Sequence, residues 1–374
     1  MNKVSRRDFL RTLAATTLFT VFGKTSAPGS FSPDEPFEML VVGDSLIWGQ
    51  GLDERDKFYN LTADWLRHDA FGKHREVNLA VKAHSGATIR FDPNEAAKYR
   101  AAGRDENYFY KGEVNVSTPS IWKQVETAAA EYQLRGQVRG ADLVMLSAGI
   151  TDISVEGVLN PFEDPEKLKP LVEEVCQKRV RELLEHISKF NPDARIALIG
   201  YYSMISPRSS RSAVFNAWLE ILNIPNLLQG FVNNPLIRPL VFGKLFKRAM
   251  IRSEIWKTES DRQLIKAVDQ HNAKVGRRQA IFISPNFSDE NAVEAPKTLL
   301  FRMRKNGSVE DPQFHDRKAD CKTAFKDLEL KTGIKYALKR CTVAAVGHPN
   351  RAGSRSYFEA IKGMLSSVLN DPIK

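Results

Sequence analysis

Short apolar runs alternate along this chain with longer segments in which apolar residues recur every three or four positions. The runs have the length and β-branched content of buried parallel strands, and they cover residues 39–43, 76–81, 141–149, 194–202 and 279–284. The helical spacing predicts helices over 58–68, 121–133, 171–190, 261–276 and 354–369. Repeated alternation of strand and helix predicts a three-layer α/β/α sandwich around a mostly parallel sheet of about five strands.

Three segments interrupt this alternation within a single predicted domain of residues 37–374. Residues 90–120 are polar and rich in Tyr, Asn and Gly, which predicts a long loop. Residues 206–257 are apolar but broken by prolines, and they predict either a lid or extra helices packed on the core. Residues 285–320 are irregular and contain a basic cluster. The domain is therefore predicted to carry three insertions on a regular α/β core.

The N-terminal segment has the pattern of an export signal. A pair of arginines precedes an apolar stretch over 9–22 that is short for a membrane span, and small residues follow it. The run SRRDFL is similar to a twin-arginine signal, so residues 1–27 predict export by the twin-arginine machinery to the periplasm or the medium. Cleavage is predicted near Ala27, and an uncleaved membrane anchor is the alternative. Residues 28–36 are rich in Pro and Ser and predict a linker.

The charge of the chain argues against nucleic acid as a partner. The formal net charge is +10 over 374 residues, of which the signal segment contributes +4, so the mature chain carries +6. A charge of this size on a large domain is typical of solvated faces, and the basic cluster at 302–305 is interpreted in that way. Peripheral contact with a membrane or with cell-envelope glycan is the alternative. Hydrophobic residues make up 42% of the chain, which is enough to build a sizeable core.

Three cysteines raise the question of a disulfide, which an exported protein can keep. Cys321 and Cys341 lie on either side of a helix-like stretch near the C-terminus and are the predicted pair. Cys176 falls within a helical pattern and is predicted to be a buried free thiol. No set of histidines shows the spacing of metal ligands, so neither a metal nor another cofactor is predicted.

Polar residues and glycines follow the predicted strands where these end. GDSL at 43–46 follows the first strand, HSG at 84–86 the second and GITD at 149–152 the third, while VGHPN at 346–350 leads into the last helix. In parallel sheets, the working site lies outside the carboxyl ends of the strands. A serine after a strand is often a helix cap, so Ser45 alone predicts a cap as readily as a nucleophile.

These four blocks, in this order, resemble the GDSL, or SGNH, hydrolase family over most of the mature chain. The resemblance implies a flavodoxin-like sandwich and ester hydrolysis without a cofactor. Ser45 would attack an ester carbonyl, and His348 would act as base towards Ser45 and then as acid towards the leaving alcohol. The backbone N–H groups of Ser45 and Gly86 would face the oxyanion, where glycine would let the acyl group approach closely.

Two positions depart from the family pattern. Thr151 stands where the family has an asparagine that donates to the oxyanion, so either Thr151 substitutes, directly or through a water, or another donor does. Ala345 stands where the family has the acid that orients the histidine. An acid from elsewhere, or a backbone carbonyl, would then have to orient His348.

Three further residues keep more than one interpretation. Asp44 could cap the helix after the first strand or support the site. Asp152 could cap the segment after its strand or hold the loops of the site. His84 is an alternative base close to Gly86, or else an ordinary loop histidine.

Several functions are consistent with these residues. The leading hypothesis is an exported serine hydrolase that cleaves carboxylic esters. A catalytically degenerate protein that binds a glycan or lipid is an alternative motivated by Thr151 and Ala345, and an O-acyltransferase would use the same acyl-enzyme. The apolar segment 206–257 favours lipid acyl chains, whereas the polar, aromatic loop 90–120 would suit an acetylated glycan.

Overall fold

The computed structural model describes residues 35–221 and 238–369. The predicted export signal, most of the predicted linker and part of the 206–257 insertion lie outside these ranges. Among the described helices, none is both long enough and apolar enough to cross a membrane.

A five-stranded sheet forms the centre of the fold, and all of its strands are parallel in the order β2-β1-β3-β4-β5. The strands are β1 (Phe37–Gly43), β2 (Val77–Val81), β3 (Leu143–Ser147), β4 (Arg195–Ile199) and β5 (Ala280–Ile283). Every residue of β1, β3 and β4 is buried, which explains why their sequences are nearly continuous apolar runs. The predicted α/β fold with a parallel five-stranded sheet is confirmed.

Helices cover both faces of the sheet. One face carries Ile121–Leu134, Val180–Phe190 and Arg238–Val275, which pack on one another, and Phe58–His68 and Arg351–Val368 pack together on the other. The π-helical segment Glu173–Arg179 joins two of the helices. The described α-helices are Ser45–Trp48, Phe58–His68, Pro93–Ala101, Ile121–Leu134, Ile150–Ile153, Val155–Leu159, Leu168–Val172, Val180–Phe190, Arg211–Ile221, Arg238–Val275, Phe314–Thr332, Leu338–Thr342 and Arg351–Val368.

The helix predicted at 261–276 is much longer, because it spans Arg238–Val275 and takes in part of the 206–257 insertion. The prolines that predicted a broken segment end at Pro239, which is the second residue of this helix, where proline is tolerated. Arg252, further along the helix, adds a polar residue to the pattern. This arginine is buried and donates to the carbonyls of Gly157 and Val158 over 2.7 and 3.0 Å. An arginine on the core side interrupts the apolar periodicity on which the prediction depended.

The prediction of a continuous loop over 90–120 is wrong, because a helix forms at Pro93–Ala101. Asp92 caps this helix by accepting hydrogen bonds from the N–H groups of Asn94 and Glu95, and proline occupies its first turn. These local start signals outweigh the polar composition of the segment.

A second hydrophobic cluster lies beside the sheet and packs residues 91–116 against the C-terminal helices. Cys321 and Cys341 are both buried in this cluster and are joined by a disulfide. Cys176 is buried and free within the helical segment where it was expected. The disulfide therefore fixes the short helix that precedes the loop of His348.

Candidate active site

The crevice between β1 and β3 is the point at which the strand order of the sheet reverses. The chain moves from β1 outwards to β2 and then returns to β3, from which it continues towards the opposite edge. In doubly wound sheets, ligands bind at such a reversal, outside the carboxyl ends of the strands. Ser45 follows β1 and Ile150 begins the turn after β3, so both residues stand at this crevice.

The turn after β1 leaves the hydroxyl of Ser45 available. Gly43 has a φ of +141°, and a Cβ at this position would collide with the backbone of β3, so only glycine fits. Asp44 then caps the short helix Ser45–Trp48, because its Oδ1 accepts from the Leu46 N–H over 3.0 Å. The capping role that the sequence left open therefore belongs to Asp44 and not to Ser45.

Ser45 and His348 meet at the mouth of a cavity. His348 Nε2 lies 2.7 Å from Ser45 Oγ, although 303 residues separate them in the chain. Both residues line the cavity, and Ser45 keeps 8% of its surface exposed. A serine hydroxyl within hydrogen-bond reach of an imidazole nitrogen is the arrangement that activates a serine nucleophile.

The loop that carries His348 is held on both sides by hydrogen bonds. The Phe301 N–H donates to the His348 carbonyl over 2.8 Å, and the Gly347 N–H donates back to the Phe301 carbonyl over 3.0 Å. The Tyr202 hydroxyl donates to the Gly347 carbonyl over 2.6 Å, and Asn350 caps the helix that follows. This loop therefore places the imidazole without help from a side-chain acid.

No carboxylate orients His348 within the described residues. Ala345 occupies the expected position, and the buried Nδ1 of His348 has no hydrogen-bond partner. The carbonyls of Ala344 and Val346 lie close enough to favour a proton on the ring, although neither forms a well-aligned hydrogen bond with it. Burial lowers the pKa of His348 to about 4, and the Arg317 guanidinium contributes to the same shift. The imidazole is therefore neutral, and able to accept a proton, throughout the neutral pH range.

Asp44 supports the turn and does not contact His348. Its Oδ1 accepts from the Ser147 hydroxyl over 2.6 Å, and its Oδ2 accepts from the Tyr201 hydroxyl over 2.8 Å. Burial raises the pKa of Asp44, and these hydrogen bonds oppose that shift. Tyr201 also accepts from the Ile150 N–H over 3.2 Å, so this group ties the turn after β1 to the turn after β3.

Two backbone N–H groups stand beside the serine without an acceptor. Those of Ser45 and Gly86 make no hydrogen bond among the described residues, and both residues line the cavity. Gly86 has a φ of +80°, and a Cβ there would collide with the Asn115 side chain and lie 2.7 Å from backbone atoms of Val116. Crowding by the chain itself therefore requires glycine at position 86, and not only the approach of an acyl group, as the sequence suggested.

The Thr151 side chain does not point its hydroxyl proton to the place expected for an oxyanion donor. Its hydroxyl donates to the Ala87 carbonyl over 2.6 Å, which uses the one proton that a threonine side chain can donate. Asp152 works on the same loop, since its Oδ2 accepts from the Ile89 N–H over 3.0 Å, and burial raises its pKa to about 6. Both residues therefore hold the loop that carries Gly86.

His84 is not the alternative base. Its ring is buried between two backbone carbonyls, with Nδ1 2.9 Å from the Ser85 oxygen and Nε2 3.3 Å from the Tyr110 oxygen. Burial lowers its pKa, and it does not line the cavity of Ser45. His84 therefore anchors the loop before Gly86.

The cavity beside Ser45 and His348 has a volume of about 630 Å³. Most of its wall is apolar. It comes from the segments that follow β3 and β4, from the 206–257 and 285–320 insertions and from the C-terminal part of the chain. Examples are Leu159, Ile205, Val214, Trp256, Val293 and Phe325. In the part of the chain that the structure describes, no three His, Cys, Asp or Glu side chains are grouped as metal ligands.

Tyr201 and Asn115 are residues of the site that the sequence analysis missed. Tyr201 comes shortly after β4, so the search for polar residues at strand ends would have found it if extended to that strand. Asn115 lines the cavity from the irregular part of 90–120, where no pattern in the sequence marks it.

Comparison with known proteins gives a distant structural likeness. No protein-family model and no curated protein matches this sequence. An extracellular lipase from Streptomyces rimosus is similar with a TM-score of 0.46 and 11% identity, over 87% of this chain and 99% of the lipase. A carbohydrate esterase family 2 enzyme from Corynascus thermopiles gives a TM-score of 0.42 and 14% identity, over 91% and 68% of the two chains. A carbohydrate acetylesterase from Sinorhizobium meliloti gives 0.38 and 11%, over 89% and 99%.

Proposed function

We propose that this protein is a serine hydrolase that cleaves carboxylic esters, with Ser45 as nucleophile and His348 as general base. The observation that carries the proposal is the 2.7 Å separation between Ser45 Oγ and His348 Nε2 at the mouth of a cavity. The N–H groups of Ser45 and Gly86, which have no acceptor among the described residues, supply donors for the oxyanion.

In the proposed reaction, Ser45 Oγ attacks the carbonyl carbon of the ester while its proton passes to His348 Nε2. The bond to the alcohol oxygen then breaks, and His348 gives the proton to the departing alcohol. A water repeats the sequence by losing a proton to His348 and attacking the acyl-enzyme, which releases the carboxylic acid and the Ser45 hydroxyl. An alcohol in place of water would give acyl transfer, so the O-acyltransferase alternative uses the same residues.

His348 would work with Ser45 as a dyad. The imidazolium that forms during attack would face the carbonyls of Ala344 and Val346, which favour the protonated ring through their dipoles. Their partial charge is weaker than that of a carboxylate, so the dyad is expected to be a slower catalyst than a complete triad.

The alternative of a degenerate binding protein loses its geometric support. That interpretation would be favoured if Ser45 and His348 lay beyond hydrogen-bond reach, and their atoms are 2.7 Å apart. The departures at Thr151 and Ala345 remain its motivation, and a test for a reactive serine separates it from the enzyme.

A fluorophosphonate probe is expected to label the folded protein at Ser45 at neutral pH. Phosphonylation needs a serine whose proton can pass to a base, and the neutral imidazole of His348 is that base. Intact mass and peptide mapping locate the label. Ser45→Ala should not be labelled, whereas Ser210→Ala, which changes an exposed serine, should react like the wild type. A correctly folded wild type that stays unlabelled would contradict the proposal.

The apolar wall of the cavity favours esters of lipid-like acyl chains over acetate esters. Each methylene transferred from water to an apolar wall contributes about 0.8 kcal/mol, or about fourfold in kcat/KM. We therefore expect kcat/KM for p-nitrophenyl esters to rise two- to fourfold per methylene from acetate to about octanoate. Ala217→Phe, which adds bulk to the wall, should move the optimum to shorter chains. A wild type that prefers acetate would instead support an acetylated glycan as substrate.

The location of the enzyme is part of the same proposal. Residues 1–27 would direct export through the twin-arginine machinery to the periplasm or the medium. The disulfide between Cys321 and Cys341 supports an oxidising compartment, because such bonds are rare in the cytosol. Substrates in a membrane or in cell-envelope glycan would then be within reach of the cavity.

A further inference from the structure

The proposed oxyanion hole lacks a side-chain donor at the place where the sequence pattern expects one. The hydroxyl proton of Thr151 is used in the bond to Ala87, 2.6 Å away. The backbone N–H groups of Ser45 and Gly86 would supply two donors to the oxyanion. A third donor would have to come from a residue other than Thr151.

Asn115 stands next to Gly86 on the side of the cavity. Its side-chain oxygen occupies the space that a Cβ on Gly86 would enter, and both residues line the cavity together with Ser45 and His348. A side chain packed against Gly86 on the cavity side is within a side chain's length of an oxyanion bound by the Gly86 N–H.

The backbone of Asn115 is fixed, whereas its amide is unengaged. The Asn115 N–H donates to Cys341 Sγ over 3.3 Å, and the adjacent Val116 N–H donates to the Ser85 carbonyl over 3.2 Å. Among the described residues, the amide makes no hydrogen bond, neither of its polar atoms is fully buried, and Asn115 lines the cavity. A half-turn of the amide exchanges its oxygen and nitrogen, and no hydrogen bond opposes that turn.

We infer that Asn115 is a catalytic residue whose side-chain amide donates the third hydrogen bond to the oxyanion. The inference rests on the proposed function of Ser45 and His348. It assigns to a loop residue of the 90–120 segment the role that the family pattern places at position 151. Thr151 then keeps a positioning role, since it holds the loop of Gly86.

The test compares Asn115→Ala with Asn115→Asp, which keeps the shape of the side chain but replaces the donor with a negative charge. Loss of one oxyanion donor is expected to lower kcat by about 10²–10³-fold, with KM changed less than about threefold. Asn115→Asp should lose at least as much, because a carboxylate repels the oxyanion. The exposed Asn94→Ala is the matched control and should keep the wild-type kcat.

The outcomes distinguish this inference from the proposed function. If the wild type hydrolyses esters and the probe labels Ser45, while Asn115→Ala or a folded Asn115→Asp keeps kcat within about threefold, the role of Asn115 is overturned. If kcat is unchanged and only KM rises, Asn115 lines the substrate site and the inference fails. If the wild type itself neither turns over esters nor reacts with the probe, it is the proposed function that fails. Thermal unfolding of each variant shows whether it is folded.

Discussion

Replacing His348 with alanine is expected to lower kcat for ester hydrolysis by about 10⁴-fold, with the protein still folded. Removal of the base from a full triad costs about 10⁶-fold, and removal of the acid alone costs about 10⁴-fold. The ratio of these two losses is the loss expected for a dyad that has no acid at all. Removing its histidine would lower kcat by only about 10²-fold. The carbonyls of Ala344 and Val346 favour the protonated ring, which places the expected loss between these limits.

The size of this loss measures how far backbone carbonyls replace the missing acid. Ser45→Ala should fall to the same residual rate, and the double variant should be no slower than either single one, because the two groups act as a unit. His315→Ala, in an exposed position on a C-terminal helix, should match the wild type. Single-turnover rates with an activated ester provide the measurement. A loss below tenfold for His348→Ala, or fully additive losses in the double variant, would exclude the dyad.

The central part of the fold and of the site could be predicted because the signals for it are local. A buried parallel strand is an apolar run, and a glycine with a positive φ follows it wherever the chain must turn sharply into the crevice. Gly43 and Gly86 are of this kind, with φ of +141° and +80°. The block around His348 was recognisable because it leads directly into a helix that begins at Arg351.

The parts that escaped prediction depend on contacts between distant segments. The Thr151 hydroxyl donates its proton to the Ala87 carbonyl, and the sequence around neither residue predicts this hydrogen bond. The Tyr201 hydroxyl donates across the crevice to Asp44, and the buried Arg252 interrupts the apolar pattern of a long helix. Each of these is a polar group satisfied inside the protein, and such groups resemble surface residues in the sequence.

A buried ionic cluster connects the two halves of the proposed dyad. Arg317 has no exposed surface; its guanidinium donates to Glu113 over 3.0 Å and to both carboxylate oxygens of Asp311 over 2.8 and 2.7 Å. Glu113 also accepts from Trp48 Nε1 over 2.9 Å and from Gln50 Nε2 over 3.0 Å, which lie just after Ser45. The cluster thereby joins the turn that carries Ser45 to the C-terminal segment that carries His348.

The cluster also gives a reason why an acid is unfavourable at position 345. A Cβ on Gly51 would lie 2.7 Å from the Ala345 Cβ and 3.0 Å from the Asp311 Cβ, so the three residues are neighbours. An acid at 345 would add a third carboxyl group beside Asp311 and Glu113, with Arg317 as the buried cation of the cluster. Burying one more carboxylate than the cluster can pair would cost several kcal/mol.

Arg317→Met is expected to lower the free energy of unfolding by about 3–5 kcal/mol, because it removes the guanidinium that pairs with the buried Asp311 and Glu113. Arg317→Lys keeps the charge but loses the bidentate geometry, so its loss should be smaller. Urea unfolding at neutral pH with the disulfide intact measures both. A loss below about 1 kcal/mol for Arg317→Met would show that the cluster does not hold the two segments together.

Arg317→Met is also expected to move the loss of activity at acidic pH to a higher pH. Protonated His348 cannot accept the proton of Ser45, so kcat/KM of the wild type should fall only as the pH drops towards the His348 pKa of about 4. Arg317 contributes to lowering that pKa, hence its removal raises the pKa and moves the acidic limb to higher pH. The folded fraction of Arg317→Met should therefore lose activity at pH 5 relative to pH 8, whereas Arg317→Lys should retain the wild-type limb. If kcat/KM of Arg317→Met falls at the same acidic pH as in the wild type, burial alone keeps His348 neutral.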